Sequence, residues 1–155
     1  MRTLAQLSIA HRPITRRRLG LKPRWIHDID AQPFKAPGVF RAEASGAPAA
    51  DWAPYDTHYT ERYLVRPQGN AVGYEASFVL PYAKDLRGKF LGIHDMADDN
   101  MLLLHSMKLI RKLQEIGKPF VGTVYAGSNY GLLRQHDGRH AVATILNFSD
   151  PTLGL

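Results

Sequence analysis

The chain has 155 residues, 45 % of them apolar, no cysteine and a formal net charge of +6. That is the size of one ordinary domain with enough apolar material for a core, and the missing cysteine excludes disulfides, thiolate zinc sites and a cysteine nucleophile. No apolar run reaches the roughly eighteen residues of a membrane span, and the amino-terminal stretch lacks an apolar segment ahead of a small-residue cleavage site. The expectation is a soluble chain without signal peptide or transmembrane segment, its location otherwise unknown.

The positive charge is an end effect. Residues 1–27 hold Arg2, Arg12, Arg16, Arg17, Arg18, Lys22 and Arg24 and no acid, which leaves 13 basic against 14 acidic residues in the remainder. Any affinity for polyanions therefore belongs to this arm, where it would be salt-sensitive and nonspecific, so no specific nucleic-acid partner is expected. An organelle transit peptide is a second reading of the same composition. Pro13, Pro23, Pro33 and Pro37 punctuate the first forty residues. This predicts a poorly ordered arm over 1–33 and a folded domain over 34–155.

In chain order, Val39–Ala44 reads as a strand stopped by Ser45-Gly46-Ala47-Pro48, and an aromatic loop and helix follow from Trp52 to Tyr63. Lys89–His94 reads as a buried strand, with Asp98-Asp99-Asn100 placed after it as the start of a helix, where carboxylates meet free N–H groups. Leu102, Leu103, Met107, Leu109, Ile110, Leu113 and Ile116 recur at helical spacing up to Gly117. Phe120–Tyr125 is β-branched and aromatic, as a strand requires, and His140–Phe148 reads as a closing helix. Alternating strands and helices imply an α/β architecture, a short parallel sheet with helices on both faces, in which function gathers at the strands' carboxyl ends.

Two segments at those ends carry chemistry. His94-Asp95-Met96-Ala97-Asp98-Asp99-Asn100 is built like the acid loop of a serine-hydrolase triad, and Tyr130-Gly131 occupies the place of the histidine loop after the next strand. Together with Gly46-Ala47-Pro48, Trp52 and the run Tyr55-Asp56-Thr57-His58-Tyr59-Thr60-Glu61-Arg62-Tyr63, they give the chain from about Gly38 onward a specific likeness. It resembles the carboxyl-terminal part of the catalytic domain of the prolyl oligopeptidase family, nearest its dipeptidyl-peptidase IV branch. The resemblance implies an α/β-hydrolase fold, Asp98 as triad acid, Asn100 as a donor to a substrate carbonyl, and Tyr55 and Tyr59 with Trp52 as the pocket for a penultimate proline. No cofactor and no metal are implied, and relatives are often exported.

The departures point the other way for activity. Tyr130 stands at the base position, and a phenol of pKa near 10 cannot take up a proton at neutral pH as imidazole does. None of Ser8, Ser45, Ser77, Ser106, Ser128 and Ser149 lies in a Gly-x-Ser-x-Gly elbow. His58, His94, His105, His136 and His140 show no metal-ligand spacing and are read as structural or exposed, with His136 on a loop pointing away from the base position. The first expectation is a catalytically incomplete remnant of a peptidase that cleaves X-Pro dipeptides. The alternative is a noncatalytic module that keeps the aromatic pocket and binds proline-containing peptides or a homologous peptidase. A sheet cut before its elbow strand also predicts an open apolar edge and self-association.

Overall fold

The structure, a computed structural model, describes residues 19–22, 32–35, 37, 39–127, 129 and 136–153. Its elements are β1 (Leu19–Lys22), α1 (Gln32–Lys35), β2 (Ala42–Gly46), α2 (Thr57–Leu64), α3 (Ala71–Ser77), a 3-10 helix (Leu80–Asp85), β3 (Lys89–Asp95), α4 (Leu103–Glu115), β4 (Val121–Tyr125) and α5 (His136–Leu153). The four strands form one parallel sheet in the order β1-β2-β3-β4, with Ala44 opposite Leu91 and Ile93 opposite Thr123.

Strand alternation sends side chains to two faces. Phe90 of β3 packs with Phe34, Val79, Ala83, Leu86, Leu109 and Leu113 beneath α4 and the 3-10 helix. Leu91 and Ile93, the alternate positions, pack with Ala44, Tyr125 and Ala141 beneath α5. The expected α/β sheet covered on both faces is therefore what the chain builds. A third cluster, Ala47, Ala49, Trp52, Tyr74 and Met101, lies beyond the carboxyl ends of β2 and β3 and supports the candidate site.

Helix α4 ends where the sequence says it should. Gly117 adopts φ +66°, its amide reaches the Gln114 carbonyl at 3.0 Å, and the Lys118 amide reaches Leu113 at 2.9 Å, a Schellman pair that satisfies two orphan carbonyls. Gly88 is required for a different reason: a Cβ there would lie 2.6 Å from the Phe40 carbonyl oxygen, where the chain enters β3.

Several expectations are corrected. The first strand lies at Ala42–Gly46 rather than Val39–Ala44, because the ladder with β3 runs through Gly46 opposite Ile93. Residues 64 to 88, for which no element was expected, contain α3 and the 3-10 helix; Asn70 caps α3 through a 3.1 Å bond from the Gly73 amide to its Oδ1. The closing helix runs from His136 to Leu153 rather than His140 to Phe148, with Pro151 inside its last turn. There proline lacks the amide that would reach the Asn147 carbonyl, and the helix ends two residues later. Within the stretch expected to be an arm, Leu19–Lys22 pair along β2, so on that side the sheet carries a further strand. On its other side β4 has no partner strand among the described residues, and Val121 and Val124 are about half exposed.

Candidate functional site

Asp98 follows the carboxyl end of β3 and is buried, only 4 % exposed. It does not cap α4. Its Oδ1 accepts from the Asn100 amide at 3.0 Å and the Met101 amide at 2.9 Å, closing the turn that precedes the helix, while α4 begins at Leu103 with no side-chain cap. The acid loop thus spends its capping power on itself, because a short Asp side chain reaches the amides two and three residues on.

Behind the turn stands His94. Its Nδ1 lies 2.6 Å from Ser106 Oγ and its Nε2 2.7 Å from the Met101 carbonyl. A carbonyl only accepts, so Nε2 carries a proton, and in the neutral ring Nδ1 accepts from the Ser106 hydroxyl. Asp98 Oδ2 is 3.8 Å from His94 Nε2. Strand β3, the acid turn and α4 are tied together through one imidazole. Of the two roles expected of His94, structural or exposed, the buried ring takes the structural one. The signal for it was a histidine inside an apolar strand, since a buried polar side chain needs a partner.

The aromatic residues gather in front. The Tyr55 hydroxyl donates to Asn100 Oδ1 at 2.7 Å. Trp52 meets Tyr55 edge to face at 5.3 Å between centroids, and Tyr59 does so at 6.1 Å. Tyr55 precedes α2, whose amino end is capped by Asp56, and Tyr63 is largely exposed, so the three rings form a ladder along the site's rim rather than one core-facing stripe of a helix. Desolvation pushes the Tyr59 phenol above its ordinary value, with the neighbouring Tyr63 adding to it. Asp98, Asn100, Tyr55, Tyr59 and Trp52 are thus brought together in one neighbourhood. Tyr130 lies outside the described residues.

Two further groups join this end of the sheet. His105 of α4, fully buried, presents its ring to Tyr55 at 6.2 Å, and Asp51 pairs with Lys108 at 2.8 Å. On the α5 face, the Tyr125 hydroxyl and His140 Nδ1 share a 2.8 Å hydrogen bond. Burial raises the Tyr125 phenol, the Asp137 and Asp95 charges push the same way, and a hydrogen bond with Thr144 opposes them.

A concavity of about 550 Å³ lies at the opposite end of the sheet and is lined by Lys84, Arg87, Gly88 and Lys118 among others. Its basic groups answer the converging carbonyl ends of the 3-10 helix and α4, and Lys118 Nζ donates to the Leu86 carbonyl at 2.8 Å. It is therefore a poor claimant to the chemistry. Among the described residues no cluster of three His, Asp or Glu side chains is suited to a metal ion, and no helix is long and apolar enough to cross a membrane.

Parallel strands under helices on both faces, with polar side chains collected at the strands' carboxyl ends, define part of the catalytic domain of an α/β-hydrolase. The sequence profile described as the prolyl oligopeptidase family matches residues 31–155, and the chain belongs to that family. It is 30 % identical over 119 residues to dipeptidyl peptidase 8 of Homo sapiens, covering 75 % of this chain and 13 % of that protein. A probable dipeptidyl-aminopeptidase B of Grosmannia clavigera is 38 % identical over 108 residues, 67 % of this chain and 11 % of the relative. Among solved structures, dipeptidyl peptidase 4 of Porphyromonas gingivalis superposes with a TM-score of 0.78 at 31 % identity, over 82 % of this chain and 18 % of that one. The chain therefore spans less than a fifth of the length of these relatives.

Proposed function

We propose that the chain carries the acid-bearing and proline-accepting part of a dipeptidyl-peptidase site, and that on its own it binds peptides without hydrolysing them. The observation that supports this best is the coupling of Tyr55 to Asn100 beside Asp98. Because Tyr55 occupies Asn100 Oδ1, the amide NH2 of this exposed residue is left to donate to a peptide carbonyl. The half-buried rings of Tyr55 and Tyr59, backed by the buried Trp52, offer faces suited to a flat pyrrolidine. Asp98 holds the place of a triad acid, its Oδ1 accepting from two backbone amides.

Hydrolysis requires a nucleophile and a base as well. The 155 residues contain no Gly-x-Ser-x-Gly, and Tyr130 stands where the histidine belongs. Loss of any triad member costs on the order of a thousandfold or more in hydrolases where it has been measured. The ancestral reaction, acyl transfer from an X-Pro bond to serine and then to water, stops here at recognition. A proline-containing peptide titrated by calorimetry should bind, and Tyr55→Ala should abolish the heat; binding indifferent to that change removes the reading. The same chain should self-associate through β4, which has no further partner strand among the described residues, and its exposed valines, and a clean monomer in sedimentation counts against that part.

A further inference from the structure

Beneath the aromatic rim lies a histidine to which the peptide-binding reading gives no task. His105, on the first turn of α4, is 1 % exposed, no side chain hydrogen-bonds to either ring nitrogen, and the backbone of Asp51 is the polar group that faces the ring. Buried polar groups are ordinarily partnered, and an imidazole left in this state is held neutral by its surroundings. Tyr55 meets it at 6.2 Å with the rings at 75°. Beside it Asp51 does two jobs: Oδ1 accepts from the Ala53 amide at 2.9 Å, shaping the turn that carries Trp52, and Oδ2 accepts from Lys108 Nζ at 2.8 Å.

The charged and titratable groups facing the ring are Asp51 from the loop after β2, Lys108 on its own helix, His94 from β3 and the Tyr55 phenol. Asp51 is the anion among them, and it is committed to Lys108 while the ring is neutral. We propose that His105 is an acid-operated switch under the Trp52–Tyr55 turn: once protonated it draws Asp51 from Lys108 and Ala53, and the turn releases Tyr55 from Asn100. The pocket is then formed at neutral pH and undone in acid, which deepens the reading of this site as a peptide pocket and rests on it for its meaning.

The direction follows from the surroundings. Burial lowers the ring's proton affinity, Asp51 opposes it, and Lys108 and His94 add to the lowering. The folded chain thus binds this proton less readily than the unfolded one, whose value is about 6.5. Folding stability is full above that value and falls as pH drops below it, levelling once the folded-state value is passed.

Nuclear magnetic resonance of the full free chain tests the switch with no peptide present. The Ala53 amide and Tyr55 ring signals should move together on the acid side of an ordinary histidine titration, and His105→Gln should abolish that movement. Asp51→Asn should leave the ring titrating without moving Tyr55. If the glutamine variant does not fold, the ring nitrogen shifts of His105 in the parent decide: protonation in step with Ala53 supports the switch, and a ring still neutral when Ala53 moves overturns it. An unchanged titration in His105→Gln, or no movement before the chain unfolds, overturns it as well. Peptide binding is scored separately, so loss of either conclusion leaves the other readable.

Discussion

The Tyr55 hydroxyl donates to Asn100 Oδ1 at 2.7 Å across 45 positions of sequence, joining the aromatic turn after β2 to the acid turn after β3. This bond fixes which end of the Asn100 amide faces outward, and so it sets the polarity of the site. Tyr55→Phe keeps the ring and frees the amide to rotate. The expected loss in affinity for a proline-containing peptide is about 1 kcal/mol, the worth of one neutral hydrogen bond, against loss of measurable binding in Tyr55→Ala. Equal affinities for the two variants in calorimetry would show that the hydroxyl has no part in recognition.

Asp98 should matter for stability whether or not catalysis survives. Its buried carboxylate satisfies the amides of Asn100 and Met101. Asp98→Ala should lower unfolding free energy by about 2–3 kcal/mol in urea titrations, while Asp98→Asn, which keeps an acceptor oxygen, should cost roughly half as much. A change within about 0.5 kcal/mol for alanine would contradict the burial of this turn.

Much of this architecture is legible in the residues. Helix α4 announces itself by apolar spacing and by Gly117, and β3 by its apolar run after Gly88. Two parts are not legible. Leu19–Lys22 is four residues long and becomes a strand only by pairing with β2, a contact that no local pattern encodes. Helix α3 carries Gly73 and an exposed Val72, weak helix signals, although Asn70 three residues before the glycine was a usable cap. At the site, the acid loop and the tyrosines could be named from their motif, but the outward-facing ladder and the burial of His105 arise from tertiary packing.

Backbone conformation gives a pair of opposite predictions. Val65 stands at φ 61° and ψ −171°, a region nearly reserved for glycine, whereas Gly117 uses its left-handed angle to end α4. Val65→Gly should raise stability by about 1 kcal/mol, and Gly117→Ala should lower it by about the same. The thermal midpoints of the two variants should move in opposite directions, and a shift of both to the same side would contradict one of the two geometries.

Alkaline pH reports on Tyr125. Its phenol is raised first by burial and then by the Asp137 and Asp95 charges, so the unfolded chain loses this proton before the folded one. The contribution is whole below about pH 10 and is lost as pH rises through the folded-state value. Tyr125→Phe should flatten the alkaline fall in stability by the share of one tyrosine, and an ultraviolet difference titration should lose one phenol that ionises above the ordinary value. An identical alkaline slope in the variant would show that the ring ionises freely.

Recognition without hydrolysis is tested most directly by pairing a Gly-Pro chromogenic amide assay with fluorophosphonate labelling of the purified chain. No turnover above the uncatalysed rate and no labelled serine are expected, alongside a Tyr55-dependent affinity for a proline-containing peptide. Turnover accompanied by stoichiometric labelling of a serine would contradict it, and would mean that this chain completes a catalytic centre despite Tyr130.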